Sequence, residues 1–357
     1  MHLACSSSKL DTVWLLLDHG ADARAQNVDS WTPLHQLSPS VIDYYDYTMV
    51  SLTVQLLVER GTDVNAQDKD QETPLHIACY RGDFEAALAF LDHSAELSLQ
   101  NAYGQIPLHR VSQPFPFYKT GDVVRLFLEC GVDVNARDKA QDTPLHLASS
   151  KWWPVTVQVL LDHGAEANAR NADGQNPLHR VPQLQYYHSP HGANIVMQLL
   201  KHETGSDVNA QDKDQETPLH LASYYLSADL VKVLLDYRAQ IDAEDNRGLT
   251  PLHQLVLGNH ECRSLSGTGR LEPWDSRAIY TAHLLLERGA DINAQNKDNE
   301  TPLHLASHLQ LHELARLLLE NGADVDAKNS EGKSPFLVVT RRKGRAMRQL
   351  LLEYSAK

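Results

Sequence analysis

Thr301-Pro302-Leu303-His304-Leu305-Ala306, preceded by Gly289-Ala290-Asp291-Ile292-Asn293-Ala294, decides the fold because it does not stand alone. Thr-Pro-Leu-His occurs whole at 32–35, 73–76, 143–146, 217–220, 250–253 and 301–304. Variants lie at 106–109, 176–179 and 334–337, and Met1-His2 opens the chain with the tail of one. From His2 the histidines advance in steps of 33, 41, 33, 37, 33, 41, 33 and 51 residues, and Leu337 stands 33 beyond His304. A fixed period means stacked units, each burying its apolar face on its neighbours. It also argues against catalysis, because a catalytic constellation is unique and this one recurs.

The tetrapeptide has a local logic. Thr73 suits an N-cap, its hydroxyl accepting from an orphan amide of the first turn. Pro74 at the first helical position sacrifices no hydrogen bond. Leu75 points into the stack, and His76 is placed to bond the cap or the adjacent hairpin. A second helix ends in an apolar pair, as at Leu56-Leu57, Leu160-Leu161, Leu234-Leu235 and Leu318-Leu319. Gly20, Gly61, Gly131, Gly164, Gly205, Gly289 and Gly322 then read as left-handed caps. Ser94 and Arg238 replace that glycine, at a local cost of roughly 1 kcal/mol each.

Turn, Thr-Pro-Leu-His, short helix, second helix and Gly-Ala-Asp-Val-Asn-Ala together resemble the ankyrin repeat, over the whole of 1–357. The resemblance implies an all-α ankyrin-repeat solenoid of about ten helix-turn-helix repeats with β-hairpin-like fingers. The expected repeats are 1–27, 28–68, 69–101, 102–138, 139–171, 172–212, 213–245, 246–296, 297–329 and 330–357, forming a single domain.

A net charge of −14 disfavours nucleic acid or an anionic membrane as the partner. The four cysteines are scattered, and Cys5 and Cys79 occupy a position held elsewhere by Ser149, Ser223 and Ser307. They read as small packing residues in a reducing compartment, so an intracellular place, cytoplasmic or nuclear, is expected. No signal peptide or run of transmembrane length is evident.

A longer period lies over the first. The long steps carry about 8, 4, 8 and 18 extra residues, mostly after His35, His109, His179 and His253. Enlarged inter-helix loops are therefore expected in alternate repeats, about 20 Å apart on one edge. Turn chemistry alternates with them: Gly104, Gly174, Gly248 and Gly332 in one class, Gln71, Gln141, Gln215 and Asn299 in the other. After the histidine, one class reads Leu-Ala or Ile-Ala; the other reads Gln36-Leu37, Arg110-Val111, Arg180-Val181 and Gln254-Leu255. Segments 63–80 and 207–224 differ only at Ile77/Leu221 and Cys79/Ser223, so pairs of repeats look duplicated as blocks.

No phosphate loop, nucleophile elbow or dinucleotide fingerprint appears, and no cofactor is implied. Successive anchor histidines lie a helix-packing distance apart, too far to share an ion at about 2 Å. His188 and His191, with His179 or His202, lack a cysteine or carboxylate set, so no metal is expected. Acidic pairs such as Asp68/Asp70 and Asp212/Asp214 recur with the period and read as turn formers.

Aromatics are the remaining signal. Tyr44, Tyr45, Tyr47, Phe115, Phe117, Tyr118, Tyr186, Tyr187 and Trp274 fall in the insertions, either packing over neighbours or forming a binding ridge. A second set, Tyr80, Trp152, Tyr224 and Tyr225, stands near the end of the first helix beside Arg81 and Lys151. The resemblance implies that these face the concave groove. With them go finger residues Trp31, Lys69, Asp70, Glu72, Tyr103, Lys139, Asp142, Lys213, Asp214, Glu216, Lys297, Asp298 and Glu300. Exposed aromatics flanked by mixed charge suit a protein surface.

The ends differ. Arg341-Arg342-Lys343 with Arg345 and Arg348 reads as the polar outer face closing the stack, a nuclear import signal being the alternative. The first repeat lacks its finger, threonine and proline, which suggests a fragment of a longer array, the alternative being that its first helix pair packs on something else. The expected function is a non-catalytic scaffold or adaptor, a monomer binding a protein through its concave face and fingers. The alternative is the recognition or regulatory array of a larger signalling or enzymatic protein.

Overall fold

The computed structural model describes all residues except 8, 38–46, 112–119, 184–190, 204, 267–272, 340–343 and 356–357. It divides into two compact units, Met1–Ala172 and Asp173–Lys357. Unit 1 contains α1 (His2–Ser6), α2 (Leu10–Asp18), a 3-10 turn (Pro33–Gln36), α3 (Tyr47–Glu59), α4 (Pro74–Arg81) and α5 (Phe84–Asp92). It continues with α6 (Pro107–Val111), α7 (Thr120–Glu129), α8 (Pro144–Ser150) and α9 (Pro154–Asp162). Unit 2 contains α10 (Pro177–Arg180) running into a 3-10 turn, α11 (His191–Lys201), α12 (Pro218–Tyr224), α13 (Ala228–Asp236) and α14 (Pro251–Ser266). Then come α15 (Pro273–Glu287), α16 (Pro302–His308), α17 (His312–Glu320), α18 (Pro335–Val338) and α19 (Arg345–Ser355). The described residues hold no strand.

Each unit is an ankyrin-type stack. First helices pack on first helices (α4 on α6, α6 on α8, α12 on α14, α14 on α16), and second helices do likewise (α5 on α7, α13 on α15, α15 on α17). The tetrapeptide leucine fills the seam: Leu34, Leu75, Leu108, Leu145, Leu219 and Leu303 have no exposed surface. Burying one such side chain stabilises by roughly 2 kcal/mol.

The anchor histidine is the rivet between repeats. In His76, Nδ1 accepts from the Thr73 amide at 3.2 Å, while Nε2 lies 2.9 Å from the Gln105 carbonyl of the next finger. A carbonyl only accepts, so Nε2 carries the proton and the ring is neutral. The same pair of bonds recurs for His35 to Glu72, His109 to Asp142, His220 to Leu249, His253 to Glu300 and His304 to Lys333. Burial is the leading cause that pulls these rings below the ordinary histidine range, His76 and His253 to about 4.

Fingers are built by their first residue. Asp68 Oδ1 accepts from the Asp70 and Glu72 amides, and Asp212 does so from Asp214 and Glu216, which is the turn-forming role read for these acids. Each finger then donates one backbone amide to the finger before it: Lys69 to Asp29, Ala102 to Asp70 and Lys139 to Tyr103 in unit 1, Lys213 to Asp173, Asn246 to Asp214 and Lys297 to Arg247 in unit 2. Asn65, Asn135, Asn209 and Asn293 add a second ladder, their side-chain oxygens accepting from Glu96, Glu166, Gln240 and Asp324.

The alternation of turn residues has a steric cause. Gly104, Gly174 and Gly248 are left-handed, and a Cβ there would lie 2.9, 3.2 and 2.9 Å from the amide nitrogen of Lys139, Lys213 and Lys297. Gly332 has no such neighbour. Gln71, Gln141, Gln215 and Asn299 adopt positive φ with a side chain, and the next finger there brings Ala102, Ala172, Asn246 or Ser330.

Ser94 and Arg238 are left-handed as expected, each at φ 66°. Gly205 is not: two extra residues lengthen that turn, so Ser206 N reaches back to Leu199 O where Ala165 N reaches Leu160 O elsewhere. The eighth repeat also departs from expectation. Its enlargement is built largely of helix, α14 running sixteen residues and α15 fifteen. The expected loops elsewhere, with Tyr44, Tyr45, Phe115, Phe117, Tyr118, Tyr186, Tyr187 and His188, lie outside the described residues, as do the side chains of Tyr47 and Trp274. Arg341, Arg342 and Lys343 lie outside them too. Arg348 does not belong to a solvated face: it is half-buried, donates to the Val339 carbonyl at 2.8 Å and lies over Phe336.

Candidate functional site

The finger tips are the exposed part of the expected surface. Lys69, Asp70, Lys139, Lys213, Asp214, Lys297 and Asp298 are exposed, and Tyr103 is 59% exposed. The tips are braced: Lys139 Nζ donates to the Ala102 carbonyl and Lys297 Nζ to the Asn246 carbonyl, both at 2.6 Å. Asp214 accepts from Asn246 Nδ2 at 3.0 Å.

Other expected contact residues face inward. Glu72 and Asp142 are only 7% and 5% exposed, because the position just before the cap threonine tucks under the finger. Asn171 donates to Asp142 at 2.8 Å. Trp31 is half-buried, its Nε1 donating to Asp68 Oδ2 at 2.9 Å, its ring stacked on His35 with Arg81 above. Arg81 itself donates to the His35 and Leu37 carbonyls. Trp152 stands just past the end of the first helix, in the left-handed turn position at φ 62°, where its counterparts are Gly82 and Leu226, next to half-buried Lys151. Glu300 is half-buried, within 3.5 Å of Asn296 Nδ2.

What the structure brings together is an acid at the finger base and an aromatic on the first helix. In unit 1 these are Glu72 and Tyr80, and Arg110 completes them. Its Nε is 2.9 Å from Glu72 Oε1, and its guanidinium carbon lies 4.6 Å from the Tyr80 ring centre. Burial pushes the Glu72 carboxyl up, with Arg110 and Asn101 pulling against it. Arg110 thus stands between the acid and the ring.

In unit 2 the same corner is open. Glu216, Tyr224 and Tyr225 line a cavity of about 580 Å³ with Leu221, Arg247, Gln254, Leu257, His260 and Glu261. Gln254 Nε2 donates to Glu216 Oε1 at 2.7 Å and to Asp245 Oδ2 at 3.1 Å. Burial, then Asp212 and Asp245, push the Glu216 carboxyl up to about 7, with Arg247 pulling the other way. Burial and Glu216 raise the Tyr225 phenol. The two tyrosines meet edge to face, 5.2 Å between centres at 84°. Gly258 lets α14 form the far wall, since a Cβ there would overlap the Tyr224 carbonyl oxygen.

Arg110, Arg247, Gln254, Leu257, His260 and Glu261 were not among the expected site residues. For Arg110 and Gln254 the signal existed: they are the residues after the histidine in the second class of repeat. Their meaning lay one repeat away, against the preceding acid. Cys5 and Cys79 are buried free thiols, and burial pushes the first up to about 12. Among the described residues no group of His, Cys, Asp and Glu could hold a metal ion, and no helix is long and apolar enough to cross a membrane.

Family models agree with this geometry. Ankyrin-repeat models match residues 1–37 and 52–91, residues 117–188 and 276–357, and residues 199–253. The chain belongs to the ankyrin repeat family. Ankyrin repeats are protein-interaction modules and generally non-catalytic. Among particular proteins, human inversin is 28% identical over 188 residues, which is 52% of this chain and 16% of inversin. The Notch protein of Drosophila melanogaster is 35% identical over 120 residues, 33% of this chain and 4% of Notch. The chain thus spans a small part of either relative. The human ASB11 ankyrin repeat domain is similar in fold, with a TM-score of 0.54 at 23% identity, covering 70% of this chain and 98% of that domain.

Proposed function

We propose that the chain is a non-catalytic protein-binding module whose partner lies in the groove between the fingers and the first helices. The observation that supports this reading is the cavity beside Tyr224 and Tyr225. It sits where fingers and first helices meet, and it combines rings, apolar walls and charge, the composition that dominates protein interfaces. Lys213, Asp214, Lys297 and Asp298 are exposed finger tips of the same unit, and Lys69, Asp70, Tyr103 and Lys139 are those of unit 1. An acidic chain suits a partner with basic segments and disfavours polyanions. The chain acts as a monomer in this reading, and no cofactor enters it.

A second reading makes this the recognition or regulatory array of a larger protein. It is favoured by the relatives, whose matched stretches are 16% and 4% of their length. Both readings use the same surface.

A photo-crosslinking residue placed singly at Tyr103, Tyr225, Val155 or Tyr280 tests the surface. The first two belong to the finger side; the last two are exposed on second helices. In extract from the source organism, adducts are expected from Tyr103 and Tyr225. Adducts only from Val155 and Tyr280 would move the interface to the other side.

A further inference from the structure

Residues 63–80 and 207–224 are a natural duplicate, eighteen residues differing at two positions. They set the same acid and the same ring in each unit: Glu72 with Tyr80, Glu216 with Tyr224. What surrounds them differs: Arg110 and Asn101 come from the following repeat in unit 1, Gln254 and Asp245 in unit 2, and Arg81 stands where unit 2 has Tyr225. With arginine, the acid is paired at 2.9 Å and the guanidinium lies over the tyrosine. With glutamine, the acid accepts an uncharged amide and a cavity of about 580 Å³ remains beside it. Unit 1 therefore displays, from its own chain, the group that satisfies this corner.

We propose that the cavity of unit 2 binds an arginine side chain of the partner protein, its guanidinium paired with Glu216 and set against the tyrosines, as Arg110 is against Glu72 and Tyr80. This rests on the groove being the interface. Charge favours a cation: Asp212, Asp214 and Asp245 surround Glu216, and Arg247, the arginine among the lining residues, has Nη2 3.4 Å from Asp245 Oδ2. Planarity favours guanidinium over ammonium, because a flat fork can pair with a carboxylate while stacking on a ring. Leu221 and Leu257 supply apolar wall for the methylene stem.

The test uses the full chain labelled with 3-fluorotyrosine, the Tyr224 and Tyr225 resonances being assigned from Tyr→Phe variants. Acetyl-arginine methylamide is titrated against the citrulline and lysine analogues. Arginine should shift both resonances saturably and bind about ten-fold tighter than either analogue. Glu216→Gln should abolish that preference while leaving the unliganded fluorine spectrum folded. Gln254→Arg should do the same by filling the cavity from within, as position 110 does. Equal binding of citrulline or lysine, or an unchanged arginine preference in Glu216→Gln, overturns the proposal. If the arginine preference is missing while Tyr225 still crosslinks a protein, the groove survives and only its arginine pocket falls. If arginine binds but neither Tyr103 nor Tyr225 crosslinks, the pocket stands and the broader interface falls.

Discussion

Lowering the pH from 7 to 5 should loosen both units, because their rivets are neutral histidines that the unfolded chain protonates first. The sign follows from the depressed rings. His76 and His253 titrate at about 4 when folded against 6.5 when exposed. Their contribution is complete above about pH 6.5 and is lost as pH falls toward 4. Between those limits the unfolded state holds more protons, so each unit of pH removes stability. At pH 5 each of these two rings costs about 2 kcal/mol relative to pH 7, and by pH 4 about 3 kcal/mol. His35 and His109 add to the loss in unit 1, His220 and His304 in unit 2. Glu72 and Glu216 oppose it, their raised carboxyls binding protons in the folded state first. One carboxyl against three rings in each unit leaves the balance with the histidines.

Urea unfolding at pH 7, 6 and 5, read by circular dichroism, measures the loss. Nitrogen chemical shifts of the histidine rings check its cause, since Nδ1 should be bare and Nε2 protonated at pH 7. An unfolding free energy that stays level or rises between pH 7 and 5 would refute the reasoning. So would a protonated Nδ1 on His76 or His253, which could not accept from Thr73 or Thr250.

Three further outcomes are expected. Gly248→Ala meets both a φ of 75° and the Lys297 amide, so it should cost about 2 kcal/mol or more, whereas Gly332→Ala, at φ 71° with open space, should cost about 1 kcal/mol; thermal melts of the two variants compare them, and equal losses would remove the role of finger crowding. Arg238→Gly relieves an L-residue at φ 66° and should stabilise by about 1 kcal/mol in urea titration, a loss of stability counting against the strain. Glu216→Gln should raise the melting temperature more at pH 8 than at pH 5, because a carboxyl held at about 7 costs stability as pH rises past it; an equal gain at both pH values would show that the charge is not held at a penalty.

The fold was legible because its signals are local and repeated. A cap threonine, a helix-starting proline and a buried leucine act within a few residues, and many copies fix the base period of 33. Ser94 and Arg238 were readable as left-handed for the same reason: the cap demands that backbone whatever residue stands there. The misread positions depend on something further away. Glu72 and Asp142 look like exposed finger charges until the next finger closes over them. Gly104 and Gln71 look like alternative turn residues until the neighbouring lysine amide is placed beside the glycine. Gly205 failed because two added residues change which carbonyl its turn must reach. Gln254 and Arg110 were visible as a pattern, but their partner is an acid 38 residues earlier in both cases.

That spacing gives the two-repeat unit a functional meaning. The short repeat supplies the acid and the ring; the long repeat supplies the residue set against that acid. In unit 1 arginine pairs with Glu72, and in unit 2 glutamine bonds Glu216 beside a cavity. The acid, the ring and the helix that carries them are nearly the same residues in both, so the difference lies in what surrounds them: Arg110, Asn101 and Arg81 in one unit, Gln254, Asp245 and Tyr225 in the other. A chain that duplicates in pairs carries the acid, the ring and their covering residue along together. On the proposal above, changes at these few positions, the residue after the anchor histidine among them, convert an internal ion pair into a receptor for the same ion. Specificity can thus change without touching the histidines, leucines and caps that hold each unit together, because the residues that set it belong to neither rivet nor seam.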